Sequence, residues 1–256
     1  MKSYLNLCTE FYDLINPKAG FEEIAYYEAL LRPSKGPILE AMCGSGRLLI
    51  PLLKKRLLID GVDNSNHMLQ SCQRRSKDQG LEVQLHQQAL QTLSLPKKYH
   101  VIFIAIGSFQ LIRKREEALQ ILKSLRAALS PEGQLILETF VPWAASKEHA
   151  LTSNEISFER TTYCTDGSEI ICKTKATIDL KEQLEVTQIR YEKWADHQLI
   201  DAADEEHIIR WYHSYQMESL LKEAGFSSIQ QNHRKIAQNE YGVIYQASNT
   251  TDVTCS

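Results

Sequence analysis

Between residues 37 and 141, short runs rich in Ile, Leu and Val alternate with stretches whose apolar residues recur every three or four positions. The runs predict strands at 37–42, 57–63, 81–88, 100–106 and 134–141. Most are apolar almost throughout, as in a parallel sheet covered on both faces. The clearest helical stretch is 115–129, where Ala118, Ile121, Leu122, Leu125, Ala128 and Leu129 form one apolar stripe. Ser130-Pro131-Glu132-Gly133 follows it with turn chemistry, which predicts the stop of that helix.

Beyond Pro142 the texture changes to longer runs of mixed polar and apolar alternation, at 158–164, 170–178 and 184–194. Asp166-Gly167 is a hairpin signal between the first two, and Lys181-Glu182 a weaker one between the second and third. Together they predict an antiparallel insertion. A helix then carries Met217, Leu220, Leu221 and Ala224 on one face and ends with Gly225 at its C′ position. Runs at 228–233 and 241–247 predict an antiparallel hairpin closing the sheet, and 249–256 reads as a polar, frayed tail.

At 256 residues the chain is one large domain, or a core with a sizeable insertion, at roughly 150 residues per domain. Its 43% hydrophobic and 24% charged residues disfavour disordered, collagen-like and membrane classes. A net charge of -3 offers no positive field for a phosphate backbone, so no nucleic-acid partner is expected. No run reaches the ~18 apolar residues of a membrane helix, and the N-terminus lacks a signal-peptide core. The six cysteines contain no CxxC pair, so neither a metal site nor a disulfide framework is signalled, and a cytoplasmic location is expected.

The most informative segment is Ile38 to Arg47, a buried strand entering a Gly44-Ser45-Gly46 turn and then a helix. Such a turn lets backbone N–H groups approach a ligand without side chains in the way. Leu49 stands where a dinucleotide fingerprint needs a small residue, and no Gly-Lys-Ser/Thr of a phosphate-binding loop is present. About 20 residues on, the second strand ends in Gly61-Val62-Asp63-Asn64-Ser65. Asp63 is placed to accept hydrogen bonds from both hydroxyls of a ribose; its other reading is the N-cap of a 66–79 helix. Both halves together point to an adenosine-containing ligand without phosphates.

With these residues the sequence resembles the class I S-adenosylmethionine-dependent methyltransferases. The resemblance is carried by Glu40-x-x-Cys43-Gly44-Ser45-Gly46-Arg47, by Val62-Asp63-x-Ser65 with Met68, and by Phe103 to Leu111. Leu129-x-Pro131-x-Gly133-Gln134-Leu135, Leu221-x-x-Ala224-Gly225-Phe226 and the N-terminal Phe11-Tyr12-Asp13-Leu14 extend it over about residues 10–247. It implies an α/β fold: a Rossmann-like, seven-stranded, mostly parallel sheet with helices on both faces, plus the antiparallel β insertion. The implied parts are an N-terminal helical lid at 1–36, the cofactor-binding core at 37–142, the insertion over the substrate pocket at 143–210, a C-terminal helix and hairpin at 211–248, and the tail at 249–256. S-adenosylmethionine is the implied cofactor. Met42, Cys43, Gly44, Gly46 and Arg47 would lie against its methionyl part and ribose, and Asp63 with Asn64 would bind the ribose. Met68, Ala89 and Leu90 would surround the adenine, Ala105 and Ile106 the methionyl side, Tyr12 would cover the site, and Glu40 would orient the turn or reach the amino group. Two positions depart from the family pattern. Met42 replaces its first glycine, and Ala89 replaces an acidic partner of the adenine amine, a contact worth ~1 kcal/mol that Gln88 or a backbone carbonyl could supply.

The resemblance implies methyl transfer to a nitrogen or oxygen of a small molecule, in which alignment of the acceptor supplies most of the acceleration. The candidate catalytic residues are Tyr12, Gln110 and Tyr212, with His207, Arg210 and His213 also considered as bases or substrate contacts. His207 follows three acidic residues and reads equally as a solvated surface group, Arg210 as a structural partner of the insertion's acids, and Arg113-Lys114-Arg115 as a solvated face. The alternatives are a noncatalytic partner-binding module, motivated by Met42 and Ala89, and a protein or RNA methyltransferase.

Overall fold

The computed structural model describes residues 5–141, 155–237 and 240–249. Two sheets carry the architecture. The larger has seven strands: β1 (Ile38–Ala41), β2 (Ile59–Asp63), β3 (Leu85–Gln87), β4 (Tyr99–Ile104), β5 (Leu129–Phe140), β10 (Ser228–Ala237) and β11 (Glu240–Ser248). Their spatial order is β10-β11-β5-β4-β1-β2-β3. The first five strands run parallel, whereas β11 is antiparallel to both β5 and β10, so the expected mostly parallel sheet closed by a hairpin is present.

Side chains alternate across this sheet with the two-residue period of a pleated strand. Leu39, Ile102, Ile104, Leu135 and Leu137 pack on one face against helices α5 (Arg115–Ala128) and α6 (Ser214–Glu223). On the other face, Ile38, Val101, Phe103 and Ile136 meet α2 (Phe21–Leu31), α3 (Leu49–Lys54) and α4 (Asn66–Lys77). Strand order reverses between β1 and β4, and the crevice outside the carboxyl ends of strands at such a reversal is where open α/β sheets bind ligands.

Two local expectations are corrected here. The four-residue stop after α5 is not a free turn but a bulge inside extended chain. Tyr99 pairs with Leu129 and Val101 with Gln134, so Ser130 to Gly133 balloon opposite His100. The predicted 81–88 strand shrinks to Leu85–Gln87, because this edge strand has a neighbour on one side only.

The second sheet consists of β6 (Glu155–Tyr163), β7 (Glu169–Asp179), β8 (Leu184–Ala195) and β9 (Gln198–Arg210), all antiparallel in sequence order. Three of these strands match the predicted insertion, and β9 is an addition. The β8–β9 hairpin turns through Asp196 and His197, both left-handed with φ of 48° and 62°, a geometry normally signalled by Asn-Gly or Asp-Gly. Without a glycine there, the sequence shows no strand boundary. One face of this sheet, built from Ile170, Cys172, Ile189 and Tyr191, is covered by Leu7, Cys8 and Phe11 of α1 (Asn6–Ile15). Position 143, most of the predicted tail and the start of the insertion lie outside the described residues. Among the described residues, no helix is long and apolar enough to cross a membrane.

Candidate functional site

A cavity of about 600 Å³ opens at the strand-order reversal, within the size range of small-ligand and cofactor sites. Its floor is the turn after β1. Met42 (φ 60°), Gly44 (φ 54°) and Gly46 (φ 79°) all occupy left-handed backbone, so Met42 follows a glycine-like path although it carries a side chain. A Cβ at Gly44 would meet only Met68 Sδ, at 3.9 Å, so the turn presents bare backbone to the cavity there.

Asp63 ends β2 and clamps this turn. Its Oδ2 accepts from the Gly44 N–H at 2.9 Å, and its Oδ1 accepts from the Ser65 N–H at 2.9 Å. The Asn64 N–H also acts on this carboxylate, which still retains accepting capacity for a ligand. Burial pushes the Asp63 carboxyl up from its ordinary value, and the backbone donors oppose that. The N-cap reading of Asp63 is corrected: the cap of α4 is Ser65, whose Oγ accepts from the Met68 N–H at 3.3 Å.

Glu40 lies beneath the turn, wholly buried, and its Oε2 has no hydrogen-bond partner among the described residues. Burial pushes its carboxyl up to about 8, against the lowering effect of Arg47. Arg47 itself is held in a two-pronged ion pair with Glu23 at 2.6 and 3.0 Å, and it shares a hydrogen bond with Tyr12 of α1. Arg75 ties the same helix to the turn, donating to Asp13 Oδ1, Ser45 O and Ser45 Oγ, each at 2.9 Å.

The buried Glu40 makes stability depend on pH. Unfolded, the carboxyl ionises near 4.5; folded, only near 8, so between these values the native state holds a proton that the unfolded chain has released. Stability therefore falls as pH rises through this window, by at most ~1.4 kcal/mol per pH unit, and the raised Asp63 adds the same sign. The urea midpoint of the ligand-free protein should decline between about pH 5 and pH 8, and Glu40→Gln should flatten that decline. Equal slopes for the two proteins would contradict the assignment.

The remaining expected residues separate into two groups. Tyr12, Cys43, Asn64, Met68, Ala105 and Ile106 join Glu40, Met42, Gly44, Arg47 and Asp63 in the cavity wall. Gly46, Ala89, Leu90, Gln110 and Tyr212 do not. Gly46 faces Cys72 and Ile50 behind the turn, and Leu90 is buried in the core, leaving Gln91 at the wall beside it. Gln88 is spent on Ser94, donating to its carbonyl and accepting from its N–H at 2.8 Å each.

Gln110 and Tyr212 are corrected as catalytic candidates. Gln110 is fully buried, and its amide both donates to Phe140 O and accepts from Phe140 N–H at 2.8 Å, which pins the end of β5. Tyr212 packs in the core beside Phe109, away from the cavity. Arg210 pairs with no acid among the described residues: it donates to the carbonyls of Arg113 at 2.6 Å and Glu182 at 3.1 Å, bracing the loop after β4 against the second sheet. His213 is the N-cap residue of α6.

His207, by contrast, is half-buried and lines the cavity with its β9 neighbours Glu206 and Ile208. Arg113, Lys114 and Glu117 also line it. Glu206 and Ile208 escaped the sequence analysis because a charged strand in an unmarked hairpin looks like solvated loop, the same character that gave His207 its second reading as a surface group.

The comparisons with known proteins agree with this geometry. Residues 38–133 match the methyltransferase domain family. The chain is 23% identical over 215 residues to "Putative methyltransferase YqeM" of Bacillus subtilis, spanning 84% of this chain and 83% of that one. A crystal structure of an S-adenosylmethionine-dependent methyltransferase from Clostridium acetobutylicum superposes with a TM-score of 0.73 at 19% identity, over 94% of this chain and 97% of that one. The sugar N-methyltransferase KedS8 from a Streptoalloteichus species gives a TM-score of 0.73 at 15% identity, over 98% and 96% of the two chains. Residues 38–133 thus match a methyltransferase-domain family, and the chain shares the fold of solved S-adenosylmethionine-dependent methyltransferases.

Proposed function

We propose that this cavity binds S-adenosylmethionine and that the chain transfers its methyl group to a nitrogen or oxygen of a small molecule. The observation that carries the reading is the pairing of Gly44 with Asp63 at the carboxyl ends of β1 and β2. One 2.9 Å hydrogen bond joins a side-chain-free stretch of backbone to a carboxylate with lone pairs to spare. The residues present fit the cofactor: Asp63 suits the ribose hydroxyls, Met68 offers an apolar, polarisable surface to the adenine, and the unpartnered Glu40 Oε2 suits the amino group. A cationic amino group near Glu40 would also favour its ionised form, so binding below about pH 8 is coupled to proton release.

When bound, the cofactor supplies a methyl group on a positively charged sulfur, which an acceptor lone pair attacks in line. The protein's contribution is alignment and exclusion of water. The wall opposite the glycine turn is formed by the loop after β4, with Ser108, Leu111 and Ile112, and by Glu206 to Ile208 of β9. Tyr12 of α1 contributes to the same lining, and a cavity of this size suits a small acceptor better than a polymer. The lining bears charge of both signs, Arg113 and Lys114 alongside Glu117 and Glu206, and so suits a polar acceptor.

Calorimetric titration with S-adenosylhomocysteine tests the site. Asp63→Ala should weaken binding at least about a hundredfold, equivalent to ~2.7 kcal/mol, with circular dichroism unchanged. Asp63→Asn, which keeps one oxygen for the Gly44 N–H, should fold at least as well and still bind poorly. Unchanged affinity in both variants would remove Asp63 from the site.

A further inference from the structure

We infer that Cys8, Glu205 and His207 form a binding site for a divalent transition-metal ion, best matched by Zn²⁺, at the seam between α1 and β9. The three donor atoms, one sulfur, one oxygen and one nitrogen, all lie within 4.8 Å of one another. Cys8 comes from the helix that covers the second sheet, and the other two from alternate positions of β9, which share one face of the strand. Two of the three are inside the protein, Cys8 at 2% and Glu205 at 6% exposure. His207 stands in the wall of the cavity described above.

The donor set selects the ion. A thiolate, an imidazole and a carboxylate together match a borderline ion, whereas Mg²⁺ and Ca²⁺ take oxygen ligands. Supporting contacts are already in place. Tyr191 Oη lies 3.3 Å from Cys8 Sγ, and the Leu5 N–H donates to Glu205 Oε1 at 2.9 Å. Glu205 Oε2 lies 3.5 Å from His207 Nε2. Such outer contacts hold first ligands in orientation and are a regular part of metal sites. Binding displaces the Cys8 thiol proton to solvent as the metal–sulfur bond forms, with no change of oxidation state. Three protein donors leave a fourth tetrahedral position, the arrangement of zinc sites that keep a place for water or another ligand.

The competing explanation of the cluster is a polar clasp holding α1 to the sheet without any ion. The proposal does not rest on the methyl-transfer reading, since metal binding is measured without cofactor or acceptor. The full-length protein, freed of metal by a chelator, is titrated with ZnCl₂ by calorimetry and with CoCl₂ by absorbance. The expected result is one Zn²⁺ per chain and, with Co²⁺, a thiolate-to-metal charge-transfer band in the near ultraviolet. Cys8→Ser should abolish the band and weaken Zn²⁺ binding at least about a hundredfold, while Cys164→Ser keeps both. His207→Gln should retain the band and weaken binding at least about tenfold, which provides a second test should Cys8→Ser fail to fold. No stoichiometric Zn²⁺ binding to the folded wild type, a Co²⁺ complex without the band, or a band unchanged in Cys8→Ser would each overturn the site in favour of the clasp.

Discussion

Replacing Gly46 with alanine should cost about 3 kcal/mol or more of folding stability and abolish ligand binding in whatever fraction still folds. Two separate costs combine. Gly46 has φ +79°, where a Cβ is intrinsically disfavoured, and its Cβ would lie 2.5 Å from Cys72 Sγ and 3.0 Å from Ile50 Cγ1. Both neighbours are core residues, Cys72 at 0% and Ile50 at 2% exposure, so neither has room to retreat. For a protein of this size, a loss of 3 kcal/mol lowers the melting temperature by roughly 6–12 °C. Gly44→Ala is the informative partner. Its φ is +54° but its nearest neighbour is 3.9 Å away, so only the backbone strain of ~1 kcal/mol applies. That variant should fold and melt close to wild type, yet bind S-adenosylhomocysteine poorly, because the new methyl group intrudes on the cavity. Similar melting temperatures for Gly46→Ala and wild type would show that the helix behind the turn yields more readily than its packing indicates.

The second large effect is expected at Glu138, whose side chain is wholly buried on β5. Its Oε1 accepts from Arg234 Nε at 2.9 Å and from Arg234 Nη2 at 2.6 Å. Its Oε2 accepts from Tyr27 Oη at 2.5 Å and from the Ile106 N–H at 3.0 Å. One carboxylate thus joins a helix, the closing hairpin and the end of β4. Glu138→Ala would strand the guanidinium of Arg234, 13% exposed, together with a buried phenol and a buried amide. Removing one partner of a buried charge pair costs about 3–5 kcal/mol. Tyr27→Phe, which deletes one donor and leaves the ion pair, should cost only ~1 kcal/mol. Urea denaturation of the two variants separates these magnitudes. The loss should also reach the ligand site, because Ile106 lines the cavity and is β-branched with φ 52°, a conformation that its bond to Glu138 helps to hold. Equal destabilisation by Tyr27→Phe and Glu138→Ala would mean that the ion pair contributes nothing.

The parts of this structure legible in the sequence are those where local chemistry and tertiary role coincide. Ile38 to Gly46 is apolar because the strand is buried on both faces, and its glycines are needed for left-handed backbone, so strand, turn and ligand-facing surface all follow from one segment. The hairpin at Asp166-Gly167 was legible for the same reason, since Gly167 has φ 87°. Recognition failed where tertiary packing overrides local character. The segment Asp201 to His207 carries four acidic residues, yet as part of β9 its Glu205 is buried beneath α1 and its His207 lines the cavity. Gln110 sits beside the cavity in sequence but turns its amide into the backbone of β5, which residue type cannot reveal. Met42 shows the converse: a residue that breaks the family pattern adopts the backbone conformation the pattern exists to supply.

The contact between α1 and the second sheet also bears on the order of assembly. Leu5 bonds Glu205 across 200 positions of chain, and Leu7, Cys8 and Phe11 find their apolar cover on β7 and β8. A ribosome releases residues 5–11 well before their partners at 170–205. Asp13 can pair with Arg75 early, but until β7 and β8 have emerged the apolar face of α1 lacks its native cover, and such long-range closure is slow because loop entropy must be overcome before contacts compensate. The parallel strands β1 to β5 can collapse around their helices well before that point. The cavity is therefore roofed only after the second sheet has formed, and a nascent chain stalled within the insertion would hold a partly formed ligand floor under a helix whose apolar face is still uncovered.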